Sequence, residues 1–269
     1  RGNYAYQVEH MVKDVKDYAV AEYIIENTEV VSNSEEFVTT KEKLGGDGVV
    51  FGQLDRIPIQ ELFIHYVGFN QVFFHLNDHL NEVEHFLKVL TDFHKDKLWP
   101  ACLESPAEVI HAGANLSGVM TSPSLFEKYF APYSRELSAL LHKKGKLLGT
   151  HLDGEPKPLL GLIPGSGLDV VEAFTPAPMF HCTVGDARKA FGGKVVILGG
   201  IPSVLLVPDA ISDEQFETQM VELFREIAPG DNFILGVGDN IMPEASLERV
   251  KRVAEMVESH GSVPIPAVQ

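Results

Sequence analysis

The amino-acid sequence predicts an α/β fold of parallel strands, with a (β/α)₈ TIM barrel as its expected form. Short apolar runs alternate with helical segments, and no hairpin sequences join the runs. Alternation of this kind is typical of parallel βαβ units. The chain has 269 residues, 45% of them hydrophobic, and a (β/α)₈ barrel typically needs roughly 250 residues.

The first 48 residues are acidic and polar, and we expect them to lie at the periphery of the fold. Residues 14–26 have a loosely helical apolar spacing, and Ser34 is placed to begin another helix. The glycine-rich residues 45–48 break the chain before a short apolar run at 49–52, which predicts a buried strand. Two helices are then expected, at 58–66 and 77–98.

From residue 108 onward the strand–helix alternation becomes regular. Strands are predicted at 109–115, 146–151, 169–174, 195–200 and 233–238. The helices between and after them are expected at 122–144, 158–163, 184–191, 212–227 and 246–259. No GxGxxG motif follows a strand, which argues against a dinucleotide-binding open sheet, although the pattern alone fits either a closed barrel or an open sheet.

Residues 1–269 are therefore expected to form a single domain. Its peripheral segment is 1–48, the βα units of the barrel occupy 49–260, and 261–269 form a surface tail. The chain begins with Arg rather than Met, so we expect part of the native N-terminus to be missing.

Composition argues against several classes of function. The formal net charge is −16, which disfavours nucleic acid and anionic membranes because binding phosphate depends on Lys and Arg. The two cysteines form no CxxC pair and no disulfide framework, so a reducing, cytoplasmic location is expected. No apolar stretch approaches the ~20 residues of a membrane span.

The strongest candidate site follows the strand predicted at 146–151. Active sites of parallel α/β folds lie at the carboxyl ends of the strands, and His151 and Asp153 stand there two residues apart. Alternate residues of a strand point to the same side, so both side chains are expected to line the deepest pocket, at the mouth of the barrel. The pair suits zinc or another divalent metal, with a third carboxylate from a neighbouring strand. The alternative is that Asp153 caps the following turn.

Other strand ends supply further candidates. Glu172 lies late in an apolar strand, where a carboxylate is rare unless it is paired or functional, and we expect it within reach of His151. The alternative is a Glu172 that pairs with a lysine or a helix N-terminus. Asp239 follows a Gly-Val-Gly segment, in which glycine would let the backbone approach a ligand. Asn115, Asp239 and, in a loop, His181 are candidate substrate-binding residues.

The sequence resembles the uroporphyrinogen decarboxylase superfamily, and especially its corrinoid-dependent methyltransferase branch. The resemblance is carried by SPSLFEKYFAPY at 122–133, GKLLGTHLDG at 145–154, GLDVVEA at 167–173, GGI at 199–201 and LGVGDN at 235–240. It implies a (β/α)₈ barrel. The segment DVKDY at 14–18 resembles one that lies well inside the family's chain, which again predicts a missing N-terminal portion.

The methyltransferase branch implies a specific chemistry. A His-x-Cys at a strand end and a later Gly-Cys-Gly hold zinc, and methyl passes to or from the cobalt of a corrinoid carried by a partner protein. Here His151 matches the histidine, whereas Asp153 and Val237 occupy the two cysteine positions. We therefore expect an oxygen-rich metal site of His151, Asp153 and Glu172, with Asp239 as another possible carboxylate. These ligands would favour activation of an oxygen-bearing substrate over a thiol. A metal-free site, in which the same groups act as acids and bases, is the alternative.

The decarboxylase branch gives the main alternative function, that of a lyase acting on a tetrapyrrole or another carboxylated substrate. Such a substrate needs several pocket arginines, because guanidinium groups bind carboxylates bidentately. Of the seven arginines only Arg56 follows a predicted strand. A non-catalytic corrinoid- or tetrapyrrole-binding module is a third reading.

Overall fold

The computed structural model describes residues 7–54, 56–113, 115–260 and 263–264. The predicted leading residues 1–6 and most of the predicted tail lie outside this part of the chain. The chain divides into two compact units, residues 1–113 with 140–146, and residues 114–139 with 147–269. No helix in the described residues is both long and apolar enough to cross a membrane.

The described residues contain six strands, each paired in parallel with a neighbour, and these confirm the α/β class. In the first unit β1 (Phe51–Leu54) pairs with β2 (Val109–Ala112). The second unit contains β3 (Leu147–His151), β4 (Val170–Phe174), β5 (Val196–Ile201) and β6 (Phe233–Val237), which pair in the order of the sequence. The carboxyl ends of these four strands therefore meet at one edge of the sheet.

Helical segments connect the strands. The α-helices in the described residues are α1 (Tyr18–Glu26), α2 (Ser34–Leu44), α3 (Pro58–Glu61), α4 (Phe69–Asp78), α5 (Leu80–Phe93), α6 (Trp99–Glu104), α7 (Pro123–Leu125), α8 (Ala131–Lys143), α9 (Val184–Phe191), α10 (Asp213–Ile227) and α11 (Leu247–His260). Capping boxes begin α9 at Thr183 and α10 at Ser212. In each, the side chain of the capping residue accepts a hydrogen bond from the backbone N–H three residues later, and the side chain of that later residue accepts one from the backbone N–H of the capping residue.

Each unit has its own apolar core. In the first unit Phe63, Phe86 and Leu90 are almost completely buried. In the second unit the largest buried side chains are aromatic: Phe126, Phe130, Phe174, Phe191 and Phe216. One of these buried side chains, Phe174, belongs to β4 itself.

Several predicted elements differ from the structure, and the strand predicted at 109–115 ends at Ala112. The helix expected at 77–98 is interrupted at His79, whose φ of −137° is not helical, and α4 precedes it. The segment 158–163 forms no α-helix but two 3-10 turns, Lys157–Leu159 and Ile163–Gly165. Pro158 lies in the first turn, where proline is tolerated, whereas Pro164 has no N–H to donate and so prevents an α-helix from continuing through it. The first strand lies two residues later than expected.

Candidate active site

The site is centred on a histidine and a glutamate from adjacent strands. His151 is the last residue of β3, and its partner in the register with β4 is Glu172. The Nδ1 atom of His151 donates a hydrogen bond to Glu172 Oε2 at 2.5 Å. The predicted contact between these two residues is confirmed, and their catalytic role remains a prediction.

A second carboxylate lies on the other side of the imidazole. Asp239 follows β6 by two residues, and its Oδ1 atom is 3.8 Å from His151 Nε2. The side chains of His151, Glu172 and Asp239 are 21%, 27% and 38% exposed. The imidazole is thus held between two carboxylates while retaining access to solvent.

Asp153 lies two residues beyond the end of β3, which is at His151. Its Oδ2 atom accepts a hydrogen bond from Asn115 Nδ2 at 3.3 Å. The expectation that Asp153 and His151 point to the same side stays a prediction. Asn115 has a φ of +55°, a left-handed conformation that asparagine tolerates better than most residues. In the structure, Asn115 therefore contacts a predicted site residue and orients it.

The charges of the cluster act on one another. Burial alone would lower the pKa of His151, but the hydrogen bond to Glu172 and the charges of Glu172, Asp153 and Asp239 raise it above its ordinary value. Burial raises the pKa of Asp153, the negative charge of Asp239 raises it further, and His151 opposes both. Asp153 is therefore electrostatically coupled to the other groups, although its direct hydrogen bond is to Asn115.

An irregularity in β4 follows Glu172 directly. Ala173 has a φ of +65°, which is costly for a residue with a Cβ, and the β4–β5 register shifts between Val171 and Phe174. Gly199 lies opposite, and a Cβ there would come within 2.5 Å of the Phe174 carbonyl oxygen. Gly199 thus allows the bulge beside Glu172 to form. Bulges near functional sites often change the direction of a side chain.

Of the two glycines before Asp239, Gly238 is required by packing. A Cβ at Gly238 would overlap the Thr175 side chain, whereas one at Gly236 would make an ordinary contact of 3.7 Å with Leu198 Cδ2. The expectation that this segment lets the backbone approach a ligand stays a prediction.

His181 forms a second histidine–glutamate pair. Glu155 Oε2 accepts hydrogen bonds from the backbone N–H of His181 at 3.1 Å and from its Nδ1 at 2.5 Å. The His181 side chain is 87% exposed, whereas Glu155 is only 15% exposed. No contact between His181 and the His151 cluster appears among the described interactions, so its substrate-binding role stays a prediction.

Glu155 is the residue that sequence reasoning missed. Its backbone N–H donates to Ser117 Oγ at 3.2 Å, and its carbonyl accepts from Gly118 N at 2.8 Å. Glu155 thus connects the segments that precede and follow β3 to the loop after β4. Its place two residues after Asp153, in a loop at a strand end, was the available signal.

A cavity in the first unit does not include the predicted site residues. Its volume is about 590 Å³, and none of His151, Asp153, Glu172 or Asp239 lines it. The expectation that His151 and Asp153 line the deepest pocket stays a prediction.

A polar cluster at the carboxyl ends of parallel strands is the usual location of an active site in α/β enzymes. Residues 37–260 match the family described as uroporphyrinogen decarboxylase (URO-D), and the chain belongs to this family.

Two individual similarities accompany the family match. A protein named uroporphyrinogen decarboxylase from Trichlorobacter lovleyi is 26% identical over 163 residues, which are 58% of this chain and 43% of the relative. The chain thus spans less than half the length of that curated relative. A solved structure, a methyltransferase from Methanosarcina mazei, superposes with a TM-score of 0.66 and 17% identity over 88% of this chain and 69% of the other. That likeness shows a shared fold.

Proposed function

We propose that the protein is a corrinoid-dependent methyltransferase on a (β/α)₈ barrel, which moves a methyl group between a small substrate and a corrinoid. The observation that carries this proposal is the pairing of His151 with Glu172 and Asp239 at the ends of β3, β4 and β6. The fold similarity to a methanogen methyltransferase supports the same branch.

The charge of the cluster favours a cation over a polycarboxylate. Three carboxylates, of Asp153, Glu172 and Asp239, act on the single imidazole of His151. Like charges repel, so this cluster would oppose a substrate that carries several carboxylates. It would attract a divalent metal ion, which lowers the mutual repulsion of the carboxylates.

His151 and Asp239 can share a zinc ion. His151 Nε2 and Asp239 Oδ1 are 3.8 Å apart, less than the roughly 4.1 Å sum of a typical Zn–N and Zn–O bond, so one ion can contact both. Asp153, at the family's first cysteine position, adds a negative charge that acts on His151. Glu172 accepts a hydrogen bond from His151 Nδ1, the ring nitrogen that would not contact the ion. We therefore assign it to orienting the imidazole, as outer carboxylates do in many zinc sites.

Each residue then has a distinct task. Glu172 fixes the imidazole so that Nε2 faces Asp239, and Asn115 orients Asp153 through its side-chain amide. Zinc, when bound, would polarise a substrate oxygen or nitrogen and make it a better leaving group or nucleophile. Oxygen ligands in place of thiolates favour a methylated oxygen or nitrogen compound as the substrate over a thiol. The corrinoid is expected on a partner protein.

The second candidate is a decarboxylase-like lyase, which the similarity to the protein named uroporphyrinogen decarboxylase favours. The arginines discussed next have partners outside the His151 cluster. Arg188 pairs with Asp231, Arg252 with Glu217, and Arg56 donates to His65 Nε2. The carboxylate-binding fork that this reaction needs is therefore not evident near His151 in the described part of the chain.

One pair of assays distinguishes the two candidates. The zinc-loaded protein is incubated with cob(I)alamin and methylated alcohols, amines or aryl ethers, and formation of methylcobalamin is followed by its absorbance. In parallel, release of CO₂ from uroporphyrinogen is measured. We expect methylcobalamin and no CO₂. Release of CO₂ without methylcobalamin would replace the methyltransferase by the lyase.

A further inference from the structure

A cavity in the first unit lies outside the site described above. It has a volume of about 590 Å³ and lies between α2, β1 and α6. Small-molecule pockets commonly have volumes of roughly 300–1,000 Å³. The cavity is thus large enough for an organic ligand, and the proposed reaction makes no use of it.

Helix α2 forms one wall of the cavity and is unusually weakly packed. None of its 11 residues is buried, although Phe37 and Thr40 line the cavity. An isolated helix of fewer than about 12 residues is marginal in water, so α2 depends on whatever it packs against. Its described tie to the rest of the unit is an exposed ion pair, with Lys41 Nζ 3.1 Å from Glu108 Oε1, and such pairs contribute little to stability.

The sequence after α2 would permit the helix to move. Gly45 follows the helix directly with a φ of +58°, and Gly46 and Gly48 come next. Glycine tolerates backbone angles that other residues avoid. A helix without buried residues, next to a glycine-rich segment, has the properties of a lid over a pocket.

The chemistry of the lining defines the ligand. Twelve of the twenty residues that line the cavity are apolar, and none of the twenty is Lys, Arg or His. The single charged residue among them, Glu36, is exposed on α2. Burial raises the pKa of the Cys102 thiol in the opposite wall to about 11, so this thiol is neutral at physiological pH. The lining residues therefore offer no positively charged side chain to bind an anion.

We propose that this cavity is a binding site for a neutral, largely apolar small molecule, over which α2 closes. Apolar walls provide the binding free energy through burial of the ligand surface. The ligand would also supply the apolar contacts that α2 lacks, so binding and ordering of the helix are coupled.

Fluorescence of N-phenyl-1-naphthylamine, a neutral apolar dye, tests the site directly. We expect the dye to bind and 1-decanol to displace it, whereas decanoate, which has the same chain length and a negative charge, should displace it much less well. Equal displacement by decanol and decanoate would contradict the proposed ligand class, and no dye binding to the folded protein would contradict the site.

Ala101→Phe places a large side chain in the cavity from α6, and Ala190→Phe makes the same change at an exposed position of α9 as the control. We expect Ala101→Phe to weaken binding of the dye by about tenfold or more, and Ala190→Phe to leave it unchanged. Equal binding by both variants would place the dye elsewhere and overturn the proposal.

Amide hydrogen exchange of the wild-type protein tests the closing of α2 without the need for a variant that folds. Addition of 1-decanol should slow exchange of the amides in 34–44 and leave those of α10 unchanged. Unchanged exchange in 34–44 at saturating decanol would show that α2 does not close over the ligand and would overturn the proposal.

Discussion

Replacing Glu172 by glutamine tests the role assigned to the carboxylate beside His151. In the wild-type protein His151 Nδ1 donates to Glu172 Oε2 at 2.5 Å. Glutamine has the same size as glutamate, and its side-chain oxygen can still accept this hydrogen bond, but the negative charge is lost. Charge-assisted hydrogen bonds are roughly twice as strong as neutral ones. Loss of an outer carboxylate that orients a zinc ligand typically costs about 10–100-fold in metal affinity, which corresponds to about 1.4–2.7 kcal/mol.

Zinc affinity is measured by competition with a chelator at constant pH, with circular dichroism confirming the fold. Glu155→Gln is the matched control, because it makes the same change in the other histidine–glutamate pair, and we expect it to leave zinc affinity unchanged. A loss above about 10³-fold in Glu172→Gln would mean that Glu172 is itself a ligand. An unchanged affinity would show that the contact with His151 does not support a metal site.

Three further predictions concern stability. Gly238→Ala should destabilise the protein by about 1–3 kcal/mol in urea unfolding, because its Cβ would overlap Thr175; a neutral result would refute the packing role of this glycine. Arg249→Met should cost about 2–4 kcal/mol, because Arg249 is only 5% exposed and donates to three backbone carbonyls that would lose their partner; a cost below 1 kcal/mol would mean that water replaces the guanidinium. In metal-free protein the raised pKa of His151 stabilises the fold below the ordinary value of 6.5, and this contribution is lost as pH rises through the folded-state pKa; a stability difference between wild type and His151→Gln that grows with pH would contradict the sign.

The strand–helix alternation was predictable because its signals are local. The capping boxes at Thr183 and Ser212 and the apolar runs at β3 to β6 each depend on a few neighbouring residues. Helix α9 was predicted with its observed bounds, because its cap and the glycines after it mark both ends. The break at His79 was missed, since the apolar spacing continues across it.

The contact between His151 and Glu172 was predictable from strand order. Both residues lie late in consecutive parallel strands, and neighbouring strands lie about 4.8 Å apart. The register that places them opposite each other needed the structure. Asp239 was foreseen as a candidate, but its approach to Nε2 depends on the position of β6, which no local pattern encodes.

Other parts of the site depend on tertiary geometry. The hydrogen bond between Asp153 and Asn115 joins residues 38 positions apart in the chain and had no local sequence signal. The positive φ of Ala173 has no sequence signal, because alanine rarely adopts it. The partners of Glu155 lie 38 and 26 residues away in the chain, beyond the reach of any spacing rule.

Transfer of methyl from methylcobalamin to an oxygen- or nitrogen-bearing acceptor, with release of cob(I)alamin, by the zinc-loaded protein tests most directly whether the His151 cluster performs methyl transfer. The rate is followed by the absorbance change of the corrinoid, for wild type, His151→Ala and the control His142→Ala, a substitution in α8 away from the strand ends. We predict turnover by wild type and His142→Ala and none by folded His151→Ala. Equal rates in wild type and His151→Ala, or no demethylation by wild type with any oxygen- or nitrogen-bearing acceptor, would contradict the proposed function.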